Sequence, residues 1–144
     1  MSEANKKILV AVDGSANSER AVDYVVAWSK SGLADEVHLV NVQYPVPSAV
    51  TTFVGKRAVS GYHHDEGIKA VEKAKAKLEA SKIPHQVHIG VGTPGDVIVQ
   101  FAKDFDCGAI VIGTRGLGGT AGLLLGSVTR DVIAEADIPV TLIK

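Results

Sequence analysis

Four short runs of apolar, largely β-branched residues punctuate the chain: Ile8 to Val12, Val37 to Val42, Ala109 to Ile112 and Val140 to Ile143. A fifth and weaker run, Val87 to Val91, carries a histidine and a glycine. Near-continuous apolar runs of this length predict strands covered on both faces, the habit of parallel sheets. Between them the apolar positions recur at helical spacing. Ala21, Val22, Val25 and the Trp28-Ser29 pair mark one stripe, and Ile68, Val71, Ala74 and Leu78 a second. Ile98, Phe101, Ala102 and Phe105 follow i, i+3, i+4, i+7, and Leu125, Val128, Val132 and Ala136 mark a fourth. Each stripe seats a helix on a sheet. The order β-α-β, a long connection, then α-β-α-β-α-β predicts an open, right-handed, doubly wound α/β fold with helices on both faces. No internal repeat or linker divides residues 1–144, which are read as one domain.

Local signals sharpen the boundaries. Thr93-Pro94-Gly95-Asp96 presents a cap residue, proline at the first helical position and an acid near the amino end. Ser15 or Asn17 caps the first helix. Lys69, Lys73 and Lys77, interspersed with Glu66, Glu72 and Glu79, read as a solvated helix face. Tyr44 to Gly67 resists assignment: Pro45, Pro47, Gly55 and Gly61 break it without a clear period. A loop of that length in one domain is expected to be a functional flap or mobile.

Composition narrows the function classes. A chain of 144 residues, 46% apolar and 22% charged, buries a core without disulfides or metals. A net charge of -1 gives no bulk attraction to nucleic acid or an anionic membrane. The single cysteine, Cys107, rules out an intrachain disulfide and fits a reducing cytoplasm. The run at Ile8 is too short and wrongly flanked for a signal peptide or membrane span, and so is Leu123 to Leu125. A cytoplasmic location with no membrane or nucleic-acid partner is the expectation.

The segment from Gly113 to Ser127 carries the chemistry. It follows a predicted strand, enters a predicted helix and holds six glycines. Ligands of open α/β sheets sit outside the carboxyl ends of the strands. A polyphosphate there needs backbone that approaches closely, which glycine permits, and free N–H groups at a helix start. Ser127, Thr129, Arg115 and Arg130 are candidate hydroxyl and cationic contacts. A plain glycine-rich surface loop is the competing reading. No G-x-x-x-x-G-K-[ST] occurs, so a P-loop is excluded. Gly116-x-Gly118-x-x-Ala121 nearly matches a dinucleotide fingerprint, but it lies late in the chain with one strand remaining, whereas that fold needs an acid on the following strand.

These features together resemble the universal stress protein family over essentially the whole chain. The resemblance rests on the opening Ile8-Leu9-Val10-Ala11-Val12-Asp13-Gly14-Ser15, the strand Val37 to Val42, the turn Gly92-Thr93-Pro94 and the closing Ile138-Pro139-Val140. Its most specific element is G-x2-G-x9-G-[ST], present as Gly113, Gly116, Gly126 and Ser127. In the family this motif marks ATP-binding members. The resemblance implies a five-stranded parallel sheet of order 3-2-1-4-5, Rossmann-like in its nucleotide site. It implies ATP as ligand, with ADP and AMP not separated from it, and an accompanying Mg²⁺. It places Ala11, where some ATP-binding relatives have proline, and Val12 beside the adenine. Val42 would read the adenine edge through its backbone. Asp13 would accept from the ribose hydroxyls, and Gly113 and Gly116 would approach ribose and phosphates. Gly126, Ser127 and Val128 would donate backbone N–H groups to the phosphates. Alternatives stay open: Asp13 serves the Gly14-Ser15 turn or the ligand, Ser127 caps a helix or binds, and Arg115 and Thr129 contact phosphate or not. Mg²⁺ is held mainly by phosphates with few protein oxygens, and Asp13 is the acid the sequence places near the site. The resemblance also implies a homodimer through the edge strand Val140 to Ile143, which an unpaired apolar edge favours.

Other constellations carry less. His38 and His88 fall in strands as packed or edge residues. His85 and His88 are three apart on an extended segment and face opposite sides. His63-His64-Asp65-Glu66 diverges too much to chelate, so no metal site is expected. No G-x-S-x-G elbow is present, and Cys107 lacks an activating neighbour and reads as a small buried residue. The expected function is an ATP-binding stress or regulatory protein whose occupancy alters partner contacts, with no catalytic residue assigned. A slow ATP hydrolase or phosphoryl-transfer enzyme is the alternative, weakened by the lack of a lysine-plus-acid apparatus. A protein-binding homodimer without nucleotide is the second alternative.

Overall fold

The computed structural model describes residues 5–115 and 125–144. In chain order the elements are β1 (Lys7–Ala11), α1 (Ala16–Lys30), β2 (Glu36–Gln43), α2 (Ser48–Val54), α3 (Lys56–Ala80), β3 (His85–Val91), α4 (Pro94–Asp104), β4 (Ala109–Gly113), α5 (Ser127–Glu135) and β5 (Val140–Ile143). The strands form one parallel sheet of order β3-β2-β1-β4-β5. The five apolar runs therefore become the five strands, and the expected order is the observed one.

Strand alternation divides the interior in two. Ile8, Val10, Val37, Leu39 and Val111 point toward α1 and α3, where Val22, Val25, Val71, Ala74 and Leu78 meet them. Leu9, Val40, Ile110 and Ile112 point the other way, toward Ile98, Val99 and Ala102 of α4 and Val132 of α5. Leu9, Leu39, Leu78 and Ile110 are fully buried, and each such side chain contributes about 1.5–3 kcal/mol over its exposed state. Cys107 is buried as expected, and burial pushes its thiol up to about 11.

Three local expectations are settled, and the last of them is corrected. Ser15 caps α1, its hydroxyl accepting from Ser18 N at 3.1 Å, so Asn17 is left for another task. Thr93 stands at the cap of α4 with Pro94 following, but its hydroxyl makes no capping bond; its carbonyl accepts from Val97 N at 3.0 Å instead. Ile68 is exposed, and His63 and Gly67 continue the buried stripe of α3 in its place.

The stretch Tyr44 to Gly67 is not a loop. It contains α2 and the first three turns of α3. Periodicity missed them because they cover little: α2 buries no residue, and the α3 half before Gly67 buries only His63. With no core beneath it, that half carries no apolar stripe to read. Lys77 also departs from the solvated row. It lies 3.0 Å from Glu19 and 2.9 Å from Asp23, and ties α3 to α1. Burial draws its pKa down, but hydrogen bonds and charge from Asp23 and Glu19 more than reverse this.

The strand histidines make a chain across β2 and β3. His38 Nε2 lies 3.0 Å from Glu36 and Nδ1 lies 2.9 Å from His88 Nε2, while the His88 ring stacks on Phe105 at 4.0 Å. Burial, and then the charge of His38, hold the His88 pKa below its ordinary 6.5. The unfolded chain therefore binds that proton more readily. The contribution is complete above the unfolded value and is lost as pH falls through the folded one. Melting temperature is expected to drop on acidification below pH 6.5, and His88→Leu to flatten part of that slope. Parallel slopes for the two proteins would remove His88 from the acid response.

Candidate functional site

Between β1 and β4 the chain reverses direction across the sheet: β1 leads to α1 on one face, and β4 leads toward α5 on the other. A crevice opens outside the carboxyl ends of these strands, where α/β sheets take their ligands. Its volume is about 530 Å³, within the roughly 300–1,000 Å³ of small-molecule sites. Ala11, Val12, Asp13, Val42, Gly113, Arg115, Gly126, Ser127, Val128 and Thr129 all line it. Gly116, the remaining expected position, lies outside the described residues.

One end of the crevice is apolar, from Ala11, Val12, Val42, Ile98 and Ile112. Asp13 follows β1, and its Oδ1 accepts from Ser15 N at 2.9 Å, which closes the turn into α1. The turn role is thus observed, and the same carboxylate borders the crevice. Asn41 and Gln43 of β2 lie alongside. Asn41 Nδ2 donates to Val12 O at 2.8 Å, and Gln43 Nε2 donates to Asn41 Oδ1 at 2.7 Å. This buried amide fixes the end of β1 against β2.

The other end is built around Asn17. It is buried in the first turn of α1; its Nδ2 donates to Ile143 O at 2.9 Å and its Oδ1 accepts from Arg115 N at 2.7 Å. One side chain therefore pins the ends of both β4 and β5. Gly113 is required by this arrangement, since a Cβ there would run into the Asn17 carboxamide. Thr129 is also buried, and its hydroxyl donates to Gly113 O at 2.8 Å, clamping α5 to the end of β4. Its hydrogen is committed to the fold.

Gly126 precedes α5 and is different in kind. Its backbone, at φ -72 and ψ 162, is open to any residue. A Cβ there would meet nothing closer than Thr114 O at 3.5 Å. Nothing in the described fold demands glycine at this position. Its N–H donates to Thr114 O at 2.8 Å, which corrects the expectation of that amide as a phosphate donor. The first turn of α5, from Ser127, has no side-chain cap. Its leading N–H groups lack intrahelical partners and carry the positive end of the helix dipole. Arg115 also lines the crevice and is exposed.

Sequence reasoning missed Asn17, Asn41, Gln43, Tyr44 and Glu66. Glu66 of α3 borders the crevice, so Asp13 is not its only acid. Asn41 alone had a readable signal, as a polar residue inside the run Val37 to Val42. Among the described residues, no group of three or more His, Cys, Asp or Glu is placed to hold a metal, and no helix is long and apolar enough to cross a membrane.

These features define an open parallel α/β domain with a ligand crevice at the point where its strand order reverses. The chain belongs to the universal stress protein family, whose model matches residues 4–144. It is 30% identical to the universal stress protein YxiE of Bacillus subtilis, over 96% of this chain and 98% of that one. It is 32% identical to the universal stress protein MJ0577 of Methanocaldococcus jannaschii, over 100% and 98%. The solved structure of MJ0577 superposes with a TM-score of 0.86 over 99% and 97% of the two chains, at 31% identity. A universal stress protein from Archaeoglobus fulgidus, solved in complex with dAMP, superposes with a TM-score of 0.71 over 99% and 100%, at 27% identity.

Proposed function

We propose that this chain binds ATP in the crevice between β1 and β4 and acts as a regulatory stress protein whose occupancy alters its contacts with partners. The observation that carries this reading is Gly126. A glycine that the fold does not need, at the mouth of an uncapped helix start, is explained by a ligand that must come close. The apolar end formed by Ala11, Val12 and Val42 suits the adenine, and Asp13 the ribose hydroxyls. The amides of Ser127 and Val128, the Ser127 hydroxyl and Arg115 suit the phosphates. Asp13 and Glu66 are carboxylates suited to an accompanying Mg²⁺, with phosphate and water as the remaining ligands. The relative bound to dAMP supports an adenine nucleotide of some kind.

Calorimetric titration of ATP-Mg²⁺ into emptied protein tests this. A dissociation constant around micromolar, about -8 kcal/mol, is expected, with ADP and AMP titrated alongside to rank the three. At a hundredfold excess over that constant, ATP stabilises the fold by about 2.7 kcal/mol. The absence of both heat and stabilisation would sink the proposal. Turnover of about 10 s⁻¹ would instead make the chain an enzyme.

We propose further that two copies pair through β5. Among the described residues, this strand ends the sheet with one edge unpaired, and Leu142 on it is exposed. Leu142→Lys is expected to convert a dimer to a monomer by light scattering and to remove the dependence of melting temperature on protein concentration. A wild-type monomer, or a variant that stays dimeric, would refute pairing through this edge.

A further inference from the structure

The crevice between β1 and β4 is polarised along its length. Arg115, the only cation among its described lining residues, follows β4 at one end. At the other end, where β1 and β2 finish, the bordering side chains include Asp13, Asn41, Gln43 and Glu66. Gln43 directly follows Val42, whose side chain belongs to the apolar wall.

The fold dictates which way the Gln43 amide is turned. The Val12 carbonyl can only accept, so the Asn41 group 2.8 Å from it must be Nδ2. That turns Asn41 Oδ1, also an acceptor alone, toward Gln43, and the Gln43 group 2.7 Å from it must be Nε2. Asn41 is only 3% exposed, so water does not offer its amide a second arrangement. The Gln43 carbonyl is the part of the relay left over. Oε1 has no hydrogen-bond partner among the described residues, and it is not enclosed by the protein.

An acceptor fixed beside the apolar end discriminates among bases. A 6-aminopurine carries an N–H donor on the edge where a 6-oxopurine carries an acceptor oxygen. Against Oε1 the amine forms a hydrogen bond, whereas the 6-oxo group sets oxygen against oxygen. The carboxylates of Asp13 and Glu66 give this end the same polarity, since both accept and neither donates when ionised. The ligand therefore presents donors here and its anionic part toward β4 and α5.

We propose that Gln43, oriented by Asn41 from the Val12 carbonyl, sets the base specificity of the crevice: its Oε1 accepts from the exocyclic amine of a 6-aminopurine and disfavours 6-oxopurines. This rests on the nucleotide reading and adds to it a side chain that chooses the base.

The test is calorimetric titration of the wild type and Gln43→Met with ATP, inosine triphosphate and purine riboside triphosphate, which carries a hydrogen in place of the amine. Gln43→Met is expected to weaken ATP binding about two- to tenfold, the range of one neutral hydrogen bond. It should leave purine riboside triphosphate unchanged and bind inosine triphosphate at least as well as the wild type does. Equal losses for ATP and purine riboside triphosphate would make Gln43 a merely structural residue and overturn the assignment. A larger loss for inosine triphosphate than for ATP would mean that the amide offers its N–H to the base, and would overturn it as well. A wild type that binds none of these nucleotides would refute the nucleotide reading itself, whereas binding with an unaltered preference in Gln43→Met refutes Gln43 alone. A second measurement needs no variant to fold. In the wild type the ¹³C resonance of the Gln43 side-chain carbonyl should move with ATP and stay in place with purine riboside triphosphate, and equal movement with both would overturn the proposal.

Discussion

Gly126→Val is expected to abolish ATP binding while leaving the protein folded. The two halves of that result have separate grounds. Folding survives because the residue sits at φ -72 and ψ 162 and a Cβ there has ordinary contact distances. Gly126 is the N-cap of α5, where valine is less favourable than glycine by up to about 1 kcal/mol, so the melting temperature should fall by no more than about 4 °C. Binding fails because the isopropyl group would occupy the approach to the first turn of α5, where the phosphates need backbone contact. A loss of at least a hundredfold, about 2.7 kcal/mol, is the expected outcome by calorimetry. Unchanged affinity would place the phosphates elsewhere.

Asn17→Ala is expected to give the reverse pattern, a large loss of stability first and weaker binding as its consequence. The substitution removes both hydrogen bonds of the side chain: Arg115 N loses its partner, while Ile143 O loses one donor and keeps Thr114 N at 2.9 Å. The orphaned amide is unfavourable by about 1–3 kcal/mol and the lost bond to Ile143 O by about 0.5–1.5 kcal/mol, so a total of about 2–4 kcal/mol follows, or roughly 6–15 °C in melting temperature. Thermal denaturation with and without ATP separates the effects. ATP should still stabilise the variant, though less, because Arg115 and the end of β4 lose their anchor. A variant that melts like the wild type would mean that water or backbone movement replaces the carboxamide. Gly113→Ala should resemble Asn17→Ala rather than Gly126→Val, since its Cβ strikes that same side chain. The two motif glycines would then be told apart by stability alone.

The strands and the helices α1, α4 and α5 were legible because each has a core beneath it, and burial imprints a period on sequence. The order of the strands was not in the periods; it came with the family resemblance and stands in the structure. The overhang formed by α2 and the start of α3 was illegible for the same reason that α4 was clear: helices without a covered face carry no stripe. Within the site, the motif positions on β4 and α5 were readable from glycine spacing. Asn17 was not, because a buried amide that bonds two carboxyl-end strands looks the same in sequence as a helix cap. Lys77 likewise looked like its neighbours Lys69 and Lys73, since only the approach of α1 supplies Glu19 and Asp23 as its partners.

The most direct measurement is to denature the purified protein, separate the released small molecules by chromatography and quantify the adenine nucleotide per chain. The account predicts ATP near one per chain from wild type and none from Gly126→Val prepared identically. No nucleotide from wild type, together with no heat on adding ATP-Mg²⁺, would contradict it.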